Sequence, residues 1–198
     1  AAEAFAAAAR AAADARVVVI RAEGKFFSAG GDLASFAAAP DGTAAAIRAT
    51  AGALHEGLRT LAAIDAPVIA EVGGVAAGAG LSIVAACDLV VAARDAGFVF
   101  GYTAAGLSPD AGASYSLARL LGPRRAFELA VSNRRLGAEE AHALGLVTHL
   151  VDHEELRAFT TGLAEQLAAG PTGAYGALKR LLAAAVTSTF DAQLDLEL

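Results

Sequence analysis

Three observations predict an α/β fold in a single domain. Short apolar runs of strand length alternate with longer stretches of helical periodicity. Two segments rich in glycine and alanine, residues 28–32 and 76–80, each lead from an apolar strand region into a helix. Beyond residue 112 the chain reads as mostly helical, with His149-Leu150-Val151 as a short strand among the helices. Strands alternating with helices call for a parallel sheet, here followed by a helical C-terminal part.

The elements follow in chain order. Ala2 to Ala13 reads as an alanine-rich helix. Val17-Val18-Val19-Ile20 is a continuous apolar run, the pattern of a strand buried on both faces. Phe26 to Leu33 forms a turn into a helix, and Pro40 to Thr43 is a loop signal. Ala44 to Ala63 carries Ile47, Leu54, Leu58 and Leu61 with helical periodicity. Pro67 opens the strand Val68-Ile69-Ala70-Glu71-Val72. The glycines at 73, 74, 78 and 80 then lead into a short buried helix ending near Cys87. Leu89 to Ala92 and Gly97 to Phe100 read as two more strands. Ala113 to Leu121 is a helix stopped at Gly122-Pro123. Helices are expected over Arg124 to Val131, Ala138 to Leu144, His153 to Ala169 and Thr172 to Ala185. With no internal repeat or long linker, residues 1–198 read as one domain, a core to about residue 135 and a helical part from 136.

Composition excludes several function classes. Hydrophobic residues make up 56% of the chain, but much of that is alanine. The most apolar stretch, Val72 to Ala86, is broken by four glycines and closed by Cys87-Asp88, so no membrane span is expected. A net charge of −6 argues against nucleic acid as a partner. Local cations and helix N-termini still suit an anionic ligand. A lone cysteine excludes an internal disulfide and fits a reducing compartment, which we take as the cytoplasm. Cys87 itself, in an apolar run, reads as a core residue. His142, His149 and His153 lack metal-ligand spacing, so no metal site is expected. The absence of methionine and the mid-helix character of the first residues lead us to expect incomplete termini, and no secretory signal is visible.

The two small-residue turns carry the chemistry. Small residues admit a ligand close to the backbone, and the first N–H groups of a helix lack an internal partner. Backed by the helix dipole, such groups suit an oxygen that becomes negative during reaction. Tight helix-on-sheet packing explains either turn taken alone equally well.

Together, the motifs are specific. In order, they are Phe-Ser-Ala-Gly-Gly-Asp-Leu (27–33), Ala-Pro-Val-Ile-Ala (66–70), Gly-Val-Ala-Ala-Gly-Ala-Gly (74–80) and Ala-Cys-Asp-Leu (86–89). Gly-Leu-Ser-Pro-Asp (106–110), Arg-Leu-Leu-Gly (119–122), Ala-Glu-Glu-Ala (138–141) and Leu-Gly-Leu-Val (144–147) follow. The set resembles the crotonase, or enoyl-CoA hydratase/isomerase, superfamily from about Val17 to about Leu182. That resemblance implies a spiral of repeated β-β-α units with a helical C-terminal part, assembled as a homotrimer or homohexamer. It implies acyl-CoA thioester substrates and no cofactor beyond the coenzyme A they carry. It also implies an enolate-like oxyanion held by two backbone N–H groups, which fall by motif match on Gly31 and Ala79. Ala29, Leu33, Gly78 and Tyr102 are assigned to substrate binding. Lys25 is the phosphate candidate, since the coenzyme A of relatives passes this loop. The family's phosphate-binding arginine after the first turn is absent, with Ala34 in its region.

The acid–base residues decide the reaction. The two glutamates of family hydratases match Ser82 and Tyr102, neither of which is a carboxylate. Ser82 is expected to bond a backbone carbonyl. Asp110 matches the acidic residue of 1,2-epoxyphenylacetyl-CoA isomerase-like members, and one carboxylate suffices to move one proton between two carbons. Capping of the helix near Ala113 is the competing role. His55 resembles a histidine of the 4-chlorobenzoyl-CoA dehalogenases, which also carry an aspartate matching Asp110. Their tryptophan falls on Tyr102, and this chain contains none. His55 is read as either acid–base or pocket-lining. We therefore expect an isomerase acting through Gly31, Ala79, Asp110 and His55. A hydratase, a dehalogenase-like hydrolase and a non-catalytic coenzyme A-binding member are the alternatives.

Overall fold

The computed structural model describes all 198 residues. Helix α1 (Ala2–Ala11) precedes eight short strands arranged in two four-stranded sheets. The first sheet has the order β1 (Val18–Arg21), β3 (Val68–Val72), β5 (Leu89–Ala93) and β8 (His149–Val151), and every pair is parallel. The second has the order β2 (Phe26–Ser28), β4 (Val75–Ala77), β6 (Gly97–Val99) and β7 (Leu136–Gly137), parallel except for its last pair. Successive strands thus alternate between sheets three times over, through residues 22–25, 73–74 and 94–96. Each pair then runs into a helix: α2 (Leu33–Ala37) and α3 (Thr43–Ala63), α4 (Ala79–Ala86), and α5 (Ala113–Leu121). This is the repeated β-β-α spiral.

The pattern of side chains explains the layering. In β3 all five residues are buried, with alternate residues facing different cores. Ala70 and Val72 join the larger core with Val84, Phe98, Leu117 and Leu146. Ile69 joins Val91, Ala93 and Leu156 in the smaller one on the opposite face. β1 departs from expectation. Val18, Val19 and Ile20 are only half-buried, because β1 is an edge strand bonded to β3 alone. Its apolar run still serves both faces: Val18 and Ile20 pack with Phe5, Ala9 and Leu61 of α1 and α3, while Val17 and Val19 pack on the smaller core with Ile69 and Leu156. Glu71, in the middle of β3, is 4% exposed and meets Arg21 at 3.3 Å and Arg157 at 3.0 Å, the pairing a buried carboxylate requires.

The remaining helices are α6 (Pro123–Ser132), α7 (Ala138–Ala143), α8 (Leu156–Ala169), α9 (Thr172–Ala185) and α10 (Phe190–Glu197). Gly122, at φ 79°, separates α5 from α6, and Pro123 takes the first helical position. Residues 153–155 form a 3-10 turn, so α8 begins later than its periodicity suggests. The short strands β4 and β7 and the terminal α10 have no counterpart in the sequence reading, and β2 occupies residues read there as part of a turn. Both sheets take their last strand from the segment beyond residue 135. No helix is long and apolar enough to cross a membrane.

One close backbone approach holds the two sheets in register. A Cβ on Gly74 would lie 2.3 Å from the Lys25 carbonyl oxygen, so the β3–β4 turn passes under the β1–β2 connection only as glycine. We expect Gly74→Ala to cost about 1–3 kcal/mol, as overpacked sites do. Urea unfolding should show it as a lower midpoint with an unchanged slope.

Candidate active site

Parallel pairing builds the site. Because β2, β4 and β6 run side by side in one direction, their C-terminal ends emerge at one edge of the sheet. Three turns therefore lie next to one another: residues 29–32 after β2, Gly78 after β4, and Phe100 to Tyr102 after β6. They touch through backbone. A Cβ on Gly30 (φ 90°) would stand 3.1 Å from the Ala77 carbonyl oxygen and 3.6 Å from Gly78 Cα. One on Gly101 (φ 75°) would stand 3.4 Å from the Gly78 nitrogen. Behind them, a Cβ on Gly80 would fall 2.6 Å from Ser28 Cβ. No side chain fits between the turns.

Above this edge lies a pocket of about 120 Å³. Ala29, Gly30 and Gly31 line it from the first turn, Gly78 and Ala79 from the second, and Gly101 and Tyr102 from the third. Ile47, Thr50, Ala51 and Leu54 of α3 close it, at helical spacing, with Leu33 and Phe36 of α2 beside them. Asp110 is the only carboxylate on its wall, and no lysine, arginine or histidine lines it. The Gly31 amide makes no backbone or side-chain hydrogen bond, whereas the Gly30 amide donates to Ser28 Oγ at 3.2 Å. Ala79 is the first residue of α4, so its N–H has no partner within the helix. Asp32 caps α2 instead, accepting from the Ser35 amide at 3.1 Å and its hydroxyl at 2.6 Å. Those Ser35 bonds hold the Asp32 carboxyl below its ordinary range.

Asp110 is not a helix cap. Its backbone carbonyl accepts from the Ala113 amide, while Gly112 takes the cap position of α5 without any side-chain bond. The carboxylate turns to Tyr102, whose hydroxyl donates to Oδ1 at 2.5 Å. Ser82 Oγ lies 2.7 Å from that same phenol oxygen and 3.3 Å from the Gly78 carbonyl, two acceptors within reach of its one proton. Burial, and then the neighbouring Asp110, push the Tyr102 phenol well above its ordinary range. Tyr102 is thus a neutral donor at any physiological pH. Local pattern does not signal the Ser82–Tyr102 contact, since the two residues lie 20 positions apart on different elements; only their shared match to the paired hydratase glutamates points to it.

Two other sequence candidates lie elsewhere. His55 does not line the pocket; its Nε2 accepts the Ala111 amide at 2.9 Å, facing a separate recess with Leu58, Arg59 and Tyr115. That bond clamps a strained turn. Buried Ala111 (φ 50°) and Gly112 (φ 75°) are consecutive left-handed residues, a conformation costing about 1–2 kcal/mol for alanine. His55 therefore holds the turn that carries Asp110. Lys25 is exposed on the β1–β2 connection, also away from the pocket wall. Cys87 is a core group: its thiol donates to the Ile83 carbonyl, and burial followed by the Asp88 charge pushes it up to about 12.

With this geometry in hand, comparison with known proteins places the chain. The family described as enoyl-CoA hydratase/isomerase matches residues 1–198. The chain belongs to the enoyl-CoA hydratase/isomerase family. It is 39% identical over 183 residues to the 1,2-epoxyphenylacetyl-CoA isomerase of Escherichia coli (strain K12), covering 92% of this chain and 70% of that protein. It is 35% identical over 178 residues to 4-chlorobenzoyl coenzyme A dehalogenase-1 of an Arthrobacter species, covering 88% and 63% respectively. Among solved structures, an enoyl-CoA hydratase from Polaromonas sp. JS666 superposes with a TM-score of 0.92 at 38% identity, over 99% of this chain and 77% of that one. The spiral of this chain is the crotonase fold of that family.

The clamp on the Asp110 turn is testable. We expect His55→Ala to leave the buried Ala111 amide unpaired and to cost about 1–3 kcal/mol of stability. Chemical denaturation of the variant beside the parent chain measures it.

Proposed function

We propose that this member of the family is an isomerase that moves a proton within an uncharged enoyl-CoA or ring-derived acyl-CoA. One observation carries the reading: the pocket between the two turns has a single carboxylate, Asp110, and its phenol partner Tyr102 and the Ser82 behind it, which by motif match stand where hydratases are expected to carry glutamates, bear hydroxyls. The thioester carbonyl acidifies the neighbouring C–H bond. Asp110 takes that proton, and the released electron pair spreads onto the thioester oxygen. The Gly31 and Ala79 amides hold that oxygen, stabilising the enolate without a metal ion in the step. Protonated Asp110 then returns the proton at the far end of the conjugated system, which moves the double bond and restores the carboxylate. Hydration would add a water that paired carboxylates normally hold, and neither hydroxyl at 82 or 102 can serve as a carboxylate base at neutral pH.

The walls support a neutral acyl group, because no cationic side chain stands ready to pair a distal carboxylate. For the assembly we propose a homotrimer or a dimer of trimers. An apolar face on α9 and its junction with α10, where Leu178, Leu182, Val186 and Phe190 are each more than half exposed, supports an oligomer.

Asp110→Asn should lower isomerisation of a 3-enoyl-CoA by about 10²–10⁴-fold while acyl-CoA binding persists. Turnover at the parent rate, or halide release from 4-chlorobenzoyl-CoA exceeding isomerisation, overturns the reading. Ala79→Pro should keep the helix, since proline suits a first helical position. It removes one oxyanion donor, so kcat should fall by about 10²–10³-fold in the same assay.

A further inference from the structure

The family's two-glutamate positions are not idle in this chain. Ser82, Tyr102 and Asp110 form one line of oxygens, 2.7 Å from Ser82 Oγ to Tyr102 Oη and 2.5 Å from there to Asp110 Oδ1. Counting protons sets its direction. An ionised carboxylate only accepts, so the one phenol proton goes to Oδ1. Tyr102 then offers Ser82 lone pairs alone, and the Ser82 proton must point toward the phenol.

Ser82 has no need of that contact for its own sake. It is fully buried on α4, and the Gly78 carbonyl at 3.3 Å would satisfy its hydroxyl in the ordinary manner of a helical serine. The shorter contact is the one to Tyr102. Donation into the phenol polarises its O–H bond and strengthens the bond that the phenol makes to Asp110. Tyr102 as a whole is 7% exposed, so little of it meets solvent. The start of the same helix matters as well, because α4 begins at Ala79, one turn before Ser82 and one of the two oxyanion residues. One rigid, buried element thus spans both halves of the site.

We propose that Ser82 is a positioning residue for the isomerisation. Acting through Tyr102, it holds Asp110 by Oδ1 and leaves Oδ2 as the oxygen that exchanges the proton. This rests on the reading that Asp110 moves the proton.

The test is a double-mutant cycle of Ser82→Ala and Tyr102→Phe on the whole chain, with Asp110→Asn alongside. Each variant is assayed with a 3-enoyl-CoA for kcat, KM and the pH dependence of kcat/KM, and melted to check folding. Ser82→Ala should lower kcat by about 3–10-fold, the worth of one hydrogen bond, with KM within about twofold. In the Tyr102→Phe background the same change should have no further effect on kcat or on the pH dependence of kcat/KM. Ser82→Cys, close in volume and a weaker donor, should fall between parent and alanine and serves if alanine impairs folding. A full Ser82→Ala effect persisting without the phenol overturns the proposal. So does a variant that melts earlier yet keeps the parent kcat and pH profile. Parent turnover in Asp110→Asn removes the proton-transfer reading and this inference together, whereas its loss alongside an additive cycle removes this inference alone.

Discussion

Everything at the pocket depends on backbone meeting backbone between parallel strands. β2, β4 and β6 end together at one edge of their sheet, and the turns that follow, carrying Gly30, Gly78 and Gly101, meet through backbone, most tightly at Gly30, where a Cβ would stand 3.1 Å from the Ala77 carbonyl oxygen. Each of the three also has positive φ, which is costly for any other residue. The result is a floor of main-chain atoms. The Gly30, Gly78 and Gly101 amides are bonded to Ser28 Oγ, the Val99 carbonyl and Asn133 Oδ1, which fixes the floor. The Gly31 amide and the first amide of α4, at Ala79, make no such bond; their positions are set by the sheet, not by flexible rotamers. A preorganised donor of this kind costs no reorganisation when charge develops on an oxygen.

Above that floor the polar inventory is small and directed. The pocket wall is apolar apart from Thr50, Tyr102 and Asp110. Each bond of the Asp110 surroundings comes from a different element: Tyr102 from the turn after β6, Ser82 from α4 behind it, and His55 from α3 through the Ala111 amide. The strained pair Ala111 and Gly112 persists because this network over-determines it, a common circumstance where a side chain must be aimed at a ligand. His55 contributes by accepting a backbone proton, which ties its Nε2 to structure.

On the proposed reading, two hydroxyls at the positions expected to carry acids in a hydratase change what the scaffold can do while leaving the fold alone. A pair of carboxylates in this space would hold water between them; a serine and a tyrosine held in line instead serve the one carboxylate that remains. The high phenol pKa follows from the same burial that forms the core, so Tyr102 is a fixed donor. The chain spans 70% of the length of its isomerase relative and 63% of the dehalogenase, and the described residues hold the three β-β-α repeats in full.

Local rules made much of this readable in the sequence. Val68–Val72 and Thr172–Ala185 are where the apolar run and the helical period put them, and Gly122-Pro123 breaks the chain where a positive φ and a missing N–H demand it. The two small-residue turns were legible because they occur together, in order with the other motifs; either one alone is explained as well by tight helix-on-sheet packing. What only the tertiary structure decided were contacts across long separations. Which sheet each strand enters, and hence that β1 is an edge, is a choice of partners about 50 residues away. His55 reaching Ala111, Ser82 reaching Tyr102, and Asp110 turning to the phenol instead of capping α5 depend on how α3, α4 and the turn after β6 pack together. Residue periodicity reports the face a side chain presents, and only packing reports what that face meets.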